Sequence, residues 1–549
     1  MARVALGQFN AVVGDLRGNA AKMRDIYARA ADRGVDLLVF PELAVCGYPP
    51  EDLLYKKHFL EDSRLTVEKL AEECRDITLV VGFAEEHEGD IYNAAGVLKG
   101  GKVRRIYRKG MLPNYGVFDE QRYFRPGTEP VVIEVGGLRG ALTICFDIWN
   151  IEWLRSFLGA VGHIDMVVNI SASPFHSGKI SKREELVGGC AREFGCAVFY
   201  CNLVGGQDEL VFDGRSMIAD SAGRIVARAA AFEEDLLIAD VEVGRKGAVV
   251  VEAPGPSAPQ PADLVDEIYR ALVLGTRDYA RKNGFEKVLV GLSGGIDSSV
   301  TAAIAVAALG AENVTGVTMP SRFNRAETQS DAARLAENLR IEFHTIPIEP
   351  VLAQFDEALK AVPGWDSKGI AYENLQARIR GCILMSLSNQ FGMLVLTTSN
   401  KSETAVGYAT LYGDTAGGFA VIKDVPKTLI YQLAEHINKK AGRQIIPAEV
   451  ITRAPSAELR ADQKDTDSLP DYDLLDKILK GYVEEDKSAR QLVESGLPLE
   501  VVLKVIRMVD RNEYKRRLSP PGVRITPKAF GKDRRLPITN RYVPAVEVK

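Results

Sequence analysis

Two rhythms of apolar and polar positions divide this chain. Over the first 245 residues, short β-branched runs recur with few helical windows between them. Val4–Phe9, Leu37–Phe40, Ile77–Ala84, Arg139–Phe146, Met166–Ile170, Ala197–Asn202, Ser216–Ala219 and Leu236–Val241 read as strands, Tyr92–Tyr107 as a hairpin turning at Gly100-Gly101, and Asn19–Arg33 as an amphipathic helix. Many strands with few helices predict two stacked sheets with outer helices, an α/β sandwich. From residue 264 onward strand and helix alternate, with strands at Val288–Leu292, Val314–Met319, Glu342–Ile348 and Met393–Thr397. That alternation predicts a doubly wound parallel sheet covered on both faces, whose ligands sit beyond the strand C-termini at the switch point. Between the two patterns, Val251–Asp263 (VEAPGPSAPQPAD) holds four prolines in thirteen residues and continues neither helix nor inner strand. The expected organisation is a first domain over residues 1–245, a linker over 246–263 and a second domain over 264–549.

Composition narrows the classes. A chain of 549 residues exceeds what one core supports. A net charge of −5 offers no global positive field for nucleic acid. No apolar run reaches the ~18 residues of a membrane span, and MARVALGQFN reads as a first strand rather than a signal peptide. Seven cysteines without CxxC pairs suggest neither a disulfide framework nor a zinc site, and a reducing cytoplasm fits best.

The densest chemistry lies at Lys287–Ser299, KVLVGLSGGIDSS. A strand runs into a serine–glycine turn and then into a helix, so backbone N–H groups, hydroxyls and a helix N-terminus converge on one anion. A Walker loop would carry a lysine for retained phosphates. Here Asp297 stands instead, which suits a magnesium-bound pyrophosphate that leaves. The loop predicts ATP cleaved between its α- and β-phosphates to adenylate a substrate. In the first domain, Glu42 follows the strand LLVF, Lys109 ends RRIYRK, and Cys145 ends ALTIC before FDIW. Strand ends share a mouth, and a cysteine there needs a base and a cation, roles that glutamate and lysine fill without histidine. A Cys–His pair would have to use His163 or His176, neither of which lies in a dyad-like context.

The segments PEL…GY, YRK…LPNY and C-x-D-x-W resemble the nitrilase (carbon–nitrogen hydrolase) superfamily over most of residues 1–245. The resemblance implies an αββα sandwich, with Glu42 as general base, Lys109 stabilising the tetrahedral intermediate and Cys145 as nucleophile. In the second half, Asn374 and Arg378 of YENLQARIRG lie four apart on one helical face. Ser399, Asn400 and Lys401 follow the fourth strand at its expected mouth, with Glu403 and Asp414 beyond, while Arg380 reads as an exposed charge. NLQARIRG, SNKSE, YGD, PSAEL-x-x-D-Q and NEYKRR…PPGVRIT together resemble the glutamine-dependent NAD synthetase family across nearly the whole chain.

That resemblance implies a second domain of the adenine-nucleotide α-hydrolase type. It also implies adenylation of deamido-NAD (nicotinic acid adenine dinucleotide) on its nicotinate carboxylate by ATP and Mg²⁺, with ammonia from L-glutamine displacing AMP. By carry-over, Gly291, Leu292, Ser293, Gly294, Gly295, Ile296, Asp297 and Ser298, with Arg378 and Thr398, hold ATP. Asn374, Glu403 and Lys515 hold deamido-NAD, and Asp297 and Glu403 hold the metal. Tyr115, Ser173 and Lys179 hold glutamine. A homo-oligomer with dimerised synthetase domains and a water-poor passage for ammonia are further expectations. Three positions depart from the pattern: Phe146 replaces a glutamate beside the nucleophile, Lys179 an arginine, and Gly418 the second aspartate of YGDxxGD. The basic run Arg511–Arg535, with Lys515, Arg516, Arg517, Arg534 and Arg535, reads either as a solvated face or as a phosphate contact. The rivals are another ATP-pyrophosphatase amidotransferase, and a synthetase fed by free ammonia whose first domain only docks.

Overall fold

The computed structural model of the protein describes residues 1–243, 249–252, 260–460 and 462–542. The chain divides into two compact units, Met1–Ala262 and Asp263–Lys549. The first contains β1 (Ala2–Gln8), α1 (Leu16–Ala31), β2 (Leu37–Val39), α2 (Lys57–Glu73), β3 (Thr78–His87), β4 (Asp90–Lys99), β5 (Lys102–Arg108), β6 (Val132–Val135), β7 (Leu138–Ile144) and α3 (Ile151–Leu158). There follow β8 (Met166–Ser171), α4 (Lys179–Phe194), β9 (Ala197–Asn202), β10 (Val204–Gln207), β11 (Leu210–Asp213), β12 (Met217–Ala219), β13 (Ile225–Arg228), β14 (Asp235–Val243) and β15 (Val249–Glu252).

Two sheets form, ordered β15-β14-β1-β2-β3-β4-β5 and β13-β12-β9-β8-β7-β6, with β10-β11 a separate hairpin. Alternation along the strands builds the layers. Val4, Leu6, Leu37, Val39 and Val80 of the first sheet pack with Leu142, Ile144, Val168, Ile170 and Phe199 of the second. The opposite side chains, Ala5, Leu38 and Val81, meet Met23, Ile26 and Val67 of α1 and α2. Ala141, Val167 and Val198 meet Leu154 of α3 and Val187 of α4. The result is the αββα sandwich.

The second unit contains α5 (Leu264–Lys282), β16 (Val288–Gly291), α6 (Ile296–Leu309), β17 (Val314–Thr318), α7 (Ala326–Leu339), β18 (Glu342–Thr345), α8 (Glu349–Leu359), α9 (Ile370–Phe391), β19 (Leu394–Thr397), α10 (Lys401–Val406), β20 (Phe419–Ala420) and α11 (Lys427–Ala441). Its sheet is parallel throughout, ordered β18-β17-β16-β19-β20. The order turns back at β16, so the loops after β16 and β19 flank the switch point.

The expected linker over 246–263 needs correction. Val249–Glu252 is a strand paired antiparallel with β14, because the run VVV supplies an edge strand just before the first proline. Residues 246–248 and 253–259 of that segment lie outside the described residues, and Asp263 caps α5 through the Asp266 N–H. The short strands β6, β10, β11, β13 and β20 also escape the sequence pattern, since two to four residues carry no period.

Candidate active sites

In the first unit the three strand-end residues meet. The chain leaves β2 through Glu42 and a left-handed Leu43 (φ 47°), and β3 passes so close that a Cβ on Gly82 would lie 2.4 Å from both Pro41 O and Leu43 N. Lys109 follows β5 directly and is fully buried. Its Nζ donates to Glu42 Oε1 at 2.7 Å and to Glu120 Oε2 at 2.8 Å. Glu42 also accepts from Asn93 Nδ2 at 2.8 Å and from the Ala172 N–H at 2.7 Å. Cys145 opens a single turn at the end of β7 with φ 42°, a strained conformation that lifts the thiol out of the strand line. Burial pushes this thiol up to about 12; Glu42 raises it further and Lys109 opposes both. The resting Cys145 thiol is therefore neutral, and it would have to give up its proton before acting as a nucleophile.

Two residues the sequence reading missed complete the arrangement. Glu120 lies on a short turn after the NYGVFD segment, where no strand-end signal marks it. It holds Lys109 from the second side and accepts from Tyr48 Oη at 3.0 Å. Asp147, the D of C-x-D, accepts from the Ile144, Gly110 and Met111 N–H groups (2.8, 3.1 and 2.8 Å) and from Tyr107 Oη (2.7 Å). Burial pushes its carboxyl up to about 6 while those donors restrain the rise, so it is ionised at neutral pH and ties the Cys145 turn to the Lys109 loop.

Lys109 faces two carboxylates, and Glu120 bears the cost. Burial raises its pKa from 4.5 to about 7, Lys109 lowers it and Glu42 raises it. A carboxyl raised in the folded state contributes stability fully below about 4.5, and loses it as pH rises through about 7. Wild type is therefore expected to unfold at lower urea at pH 8 than at pH 6, read by Trp149 and Trp153 fluorescence, and Glu120→Gln to flatten that fall. An equal fall in both proteins would contradict the assignment.

The glutamine candidates surround this centre. Tyr115 packs its ring 5.7 Å from Phe146 and 5.4 Å from Phe118. Lys179 Nζ donates to Pro174 O at 2.8 Å, and the Ser173 N–H donates to Asn202 Oδ1 at 2.9 Å. A buried Arg183 binds Asp213 through both terminal nitrogens at 3.0 and 3.1 Å and reaches Ser173 O at 3.4 Å. This arginine on α4 sits four residues beyond Lys179, a spacing that could have revealed it.

In the second unit one cavity of about 740 Å³ gathers all the remaining candidates: Gly291 to Ser298, Asn374, Arg378, Thr398, Glu403 and Lys515. The phosphate loop is built as its glycines require. Gly294 has φ +78°, and a Cβ there would lie 2.0 Å from Thr328 O. Ser293 Oγ and Ser298 Oγ lie 3.1 Å apart, and the Gly295 N–H donates to Ser293 Oγ. α6 starts at Ile296 with no side-chain cap, leaving its N-terminal dipole to an anion. Asn400 Nδ2 donates to Asp297 Oδ1 at 2.9 Å and Asn400 Oδ1 accepts from the Glu403 N–H at 2.9 Å.

Lys427, absent from the sequence reading, places its ammonium between Asp297 and Glu403 Oε1, at 3.3 Å from the latter. Burial opposes this cation, but Asp297 and Glu403 hold its pKa well up. Burial lifts the Glu403 carboxyl to about 8 against the pull of Lys427. Asp297 and, once it is ionised, Glu403 form a hard-oxygen donor set that fits a magnesium ion shared with phosphate oxygens. Among the described residues no group of three or more His, Cys, Asp or Glu makes a metal site by itself.

The dinucleotide candidates Asn374 and Lys515 and the ATP candidate Arg378 frame a loop. Thr410 Oγ1 donates to Asn374 Oδ1 (2.7 Å), Arg378 Nε to Leu411 O (3.2 Å), and Lys515 Nζ to Gly407 O and Ala409 O (2.8 and 2.9 Å).

Three expectations are corrected. Arg380 is not an exposed charge: it lines the cavity, donates to Met319 O at 2.9 Å, and burial pushes its pKa down to about 10. Lys401 does not face the mouth but is buried beside Asp424 (2.9 Å) and Glu484 (2.7 Å). The basic run is a solvated face only in part: Arg516 and Arg534 are largely buried against Glu513 and Asp510, while Arg511, Arg517 and Arg535 are exposed.

Comparisons agree with this two-unit fold. Residues 3–249 match the family model for carbon–nitrogen hydrolases, and residues 268–519 that for NAD synthase. The molecule is thus a carbon–nitrogen hydrolase sandwich fused to an NAD synthase domain. Curated relatives extend over the full length. The glutamine-dependent NAD(+) synthetase of Thermotoga maritima is 46% identical over 98% of this chain and 99% of its own, and that of Aquifex aeolicus 46% over 99% and 100%. Among solved structures, a glutamine-dependent NAD+ synthetase from Acinetobacter baumannii in complex with adenosine diphosphate is 42% identical with a TM-score of 0.78, covering 98% of both chains. One from Cytophaga hutchinsonii has a TM-score of 0.84 at 25% identity over 98% of both chains. The chain belongs to the glutamine-dependent NAD(+) synthetases, and it is a ligase.

Proposed function

We propose that the second unit adenylates the nicotinate carboxylate of deamido-NAD with ATP, and that ammonia released from L-glutamine at Cys145 displaces AMP to give NAD, AMP, pyrophosphate and glutamate. The observation that carries this reading is the acidic phosphate loop: Asp297 pairs with Lys427 in the cavity lined by Gly291 to Ser298. A loop that retains phosphate would present its cation from the turn itself. Here carboxylate and lysine face each other, which suits a metal-chelated leaving group.

In the first unit Cys145 Sγ attacks the side-chain amide carbon of glutamine while Glu42 takes the thiol proton. Lys109, held by Glu42 and Glu120, donates to the oxygen that becomes anionic. Collapse of the tetrahedral intermediate expels ammonia, with Glu42 returning the proton. Water then cleaves the thioester to release glutamate. Tyr115, Ser173 and Lys179 hold the α-groups of glutamine. Ammonia is protonated in neutral water, and the cation cannot attack, so the reading includes transfer without release to solvent.

In the second unit the loop N–H groups, Arg378 and Thr398 bind ATP, while Asn374, Glu403 and Lys515 bind deamido-NAD. Asp297 and Glu403 would hold magnesium, which would supply charge neutralisation for the pyrophosphate. Lys427 remains beside the same phosphates as a second positive charge. Among the described residues no helix is long and apolar enough to cross a membrane, which is compatible with the cytoplasmic location we infer. We also infer a homo-oligomer joined through the synthetase unit, supported by exposed apolar side chains on α9, Ile370, Met385 and Phe391.

The test of adenylation follows one oxygen. Deamido-NAD labelled with ¹⁸O in its nicotinate carboxylate is expected to deliver one label to AMP during turnover with Mg-ATP and ammonium. Label found in inorganic phosphate, or ADP as the nucleotide product, would overturn it.

A further inference from the structure

Lys401 is a buried charge that the proposed mechanism leaves unused. Its Nζ donates to Thr526 Oγ1 at 2.6 Å and to Lys528 O at 3.2 Å, besides pairing with Asp424 and Glu484. Asp424 in turn accepts from the Ile525 and Thr526 N–H groups at 2.8 and 2.7 Å. The same C-terminal stretch is anchored beside β20. The Ala420 N–H donates to Pro521 O at 2.8 Å, Lys423 Nζ donates to Pro520 O at 2.7 Å, and a Cβ on Gly522 would lie 2.1 Å from Ala420 O. These residues lie beyond the NAD synthase match, which ends at residue 519.

The other end of the link is the phosphate side of the cavity. Lys401 directly follows Asn400, whose side chain is fully buried and holds Asp297 and the Glu403 N–H together. The Lys401 N–H is fixed to Val425 O at 2.9 Å, two residues before Lys427. Ser402 Oγ accepts from the Lys427 N–H at 2.9 Å and donates to Asp476. The SNKS turn therefore touches the C-terminal stretch with one side chain and the cavity carboxylate with the next.

We propose that Lys401 is a positioning residue: through Asp424 and Thr526 it lets the C-terminal stretch 520–528 fix the SNKS turn, and so sets Asp297 and Glu403 for Mg-ATP. The inference rests on the ATP reading above. Thr526→Val removes the bridging hydroxyl while keeping volume and charge balance, and Lys401→Arg keeps the charge in a longer fork. Calorimetric binding of Mg-ATP and ammonium-driven kinetics are measured for wild type, Thr526→Val, Asn400→Ala, the double variant combining these two, Lys401→Met and Lys401→Arg.

The expectation is a rise in Kd and KM for Mg-ATP of about 10-fold in each single variant, the usual scale for losing a group that orients a ligating carboxylate. The double variant is expected to fall short of the product of the two effects, because both act through one turn. Lys401→Arg is expected to recover part of the affinity that Lys401→Met loses. A role in stability alone would lower the melting temperature and leave Kd, KM and their coupling unmoved, and that result would overturn the proposal. If wild type binds and consumes ATP normally while the variants match it, the positioning role falls and the ATP reading stands. If wild type fails to bind Mg-ATP, both fall.

Discussion

Cys145→Ala is expected to abolish NAD formation from glutamine, by on the order of 10⁴-fold or more, while formation from ammonium stays near the wild-type rate. The size follows from the resting state of the site. The thiol is neutral and buried, its pKa pushed up to about 12, so no background thiolate exists for another group to replace. In the proposed reaction alanine removes the nucleophile that Glu42 and Lys109 serve. Water in its place would have to attack an unactivated amide.

The ammonium arm is the discriminating one. Ammonium supplies the second unit without glutamine, and Asp297, Glu403 and Lys427 lie in that unit with their own cavity. Retained ammonium-driven synthesis with lost glutamine-driven synthesis separates this reading from a docking domain fed by free ammonia. That rival predicts no change in either. Equal loss of both would indicate damage passed to the second unit and would count against two separate chemical steps.

The two folds differ in how openly the sequence states them. In the first unit β1, β3 and β7 alternate so regularly that one face of each fills the inter-sheet core and the other meets a helix. The strand end carrying Cys145 follows from that period, and those carrying Glu42 and Lys109 from the apolar run LLVF and the hairpin pattern of Tyr92–Tyr107. Glu120 does not, because it enters from an irregular segment and only the fold brings it within 2.8 Å of Lys109. In the second unit the SGGIDSS loop marks its own site, since its glycines are needed where backbone passes backbone, as at Gly294 against Thr328 O.

What the sequence misjudged were charged side chains near the switch point. Lys401 and Arg380 traded roles: the lysine at the strand end turns inward to Asp424 and Glu484, and the arginine on the helix face reaches the cavity. A long flexible side chain at a strand end has several directions open to it, and the choice depends on which carboxylates the remote segments bring. Asp424, Glu484 and Thr526 come from three such segments, none of them near Lys401 in sequence. Lys427 escaped for the same reason. Nothing in the local pattern VPKTL separates it from the other lysines of an amphipathic helix start.

Lys427→Met tests the most consequential of these missed residues. Both glutamine-driven and ammonium-driven NAD formation are expected to fall by about 10²- to 10³-fold, the cost of losing one preorganised charge at a developing anion, while glutamine hydrolysis measured without ATP is unchanged. The first concern is folding, since removing one partner of a buried ion pair leaves uncompensated charge and costs about 3–5 kcal/mol. Here the site can absorb the change. Glu403 already sits at about 8 with Lys427 holding it down, so without the lysine its pKa rises further and it stays neutral at pH 7. Only Asp297 is left charged, and Asn400 still donates to it. The variant should therefore fold, with the deficit appearing in turnover. Lys427→Arg should restore part of the rate by returning the charge, though a planar fork replaces a compact ammonium. A loss confined to the glutamine arm, or ammonium-driven synthesis at the wild-type rate, would show that Lys427 is only a structural counter-ion for Asp297 and Glu403. The leaving pyrophosphate would then be neutralised without it.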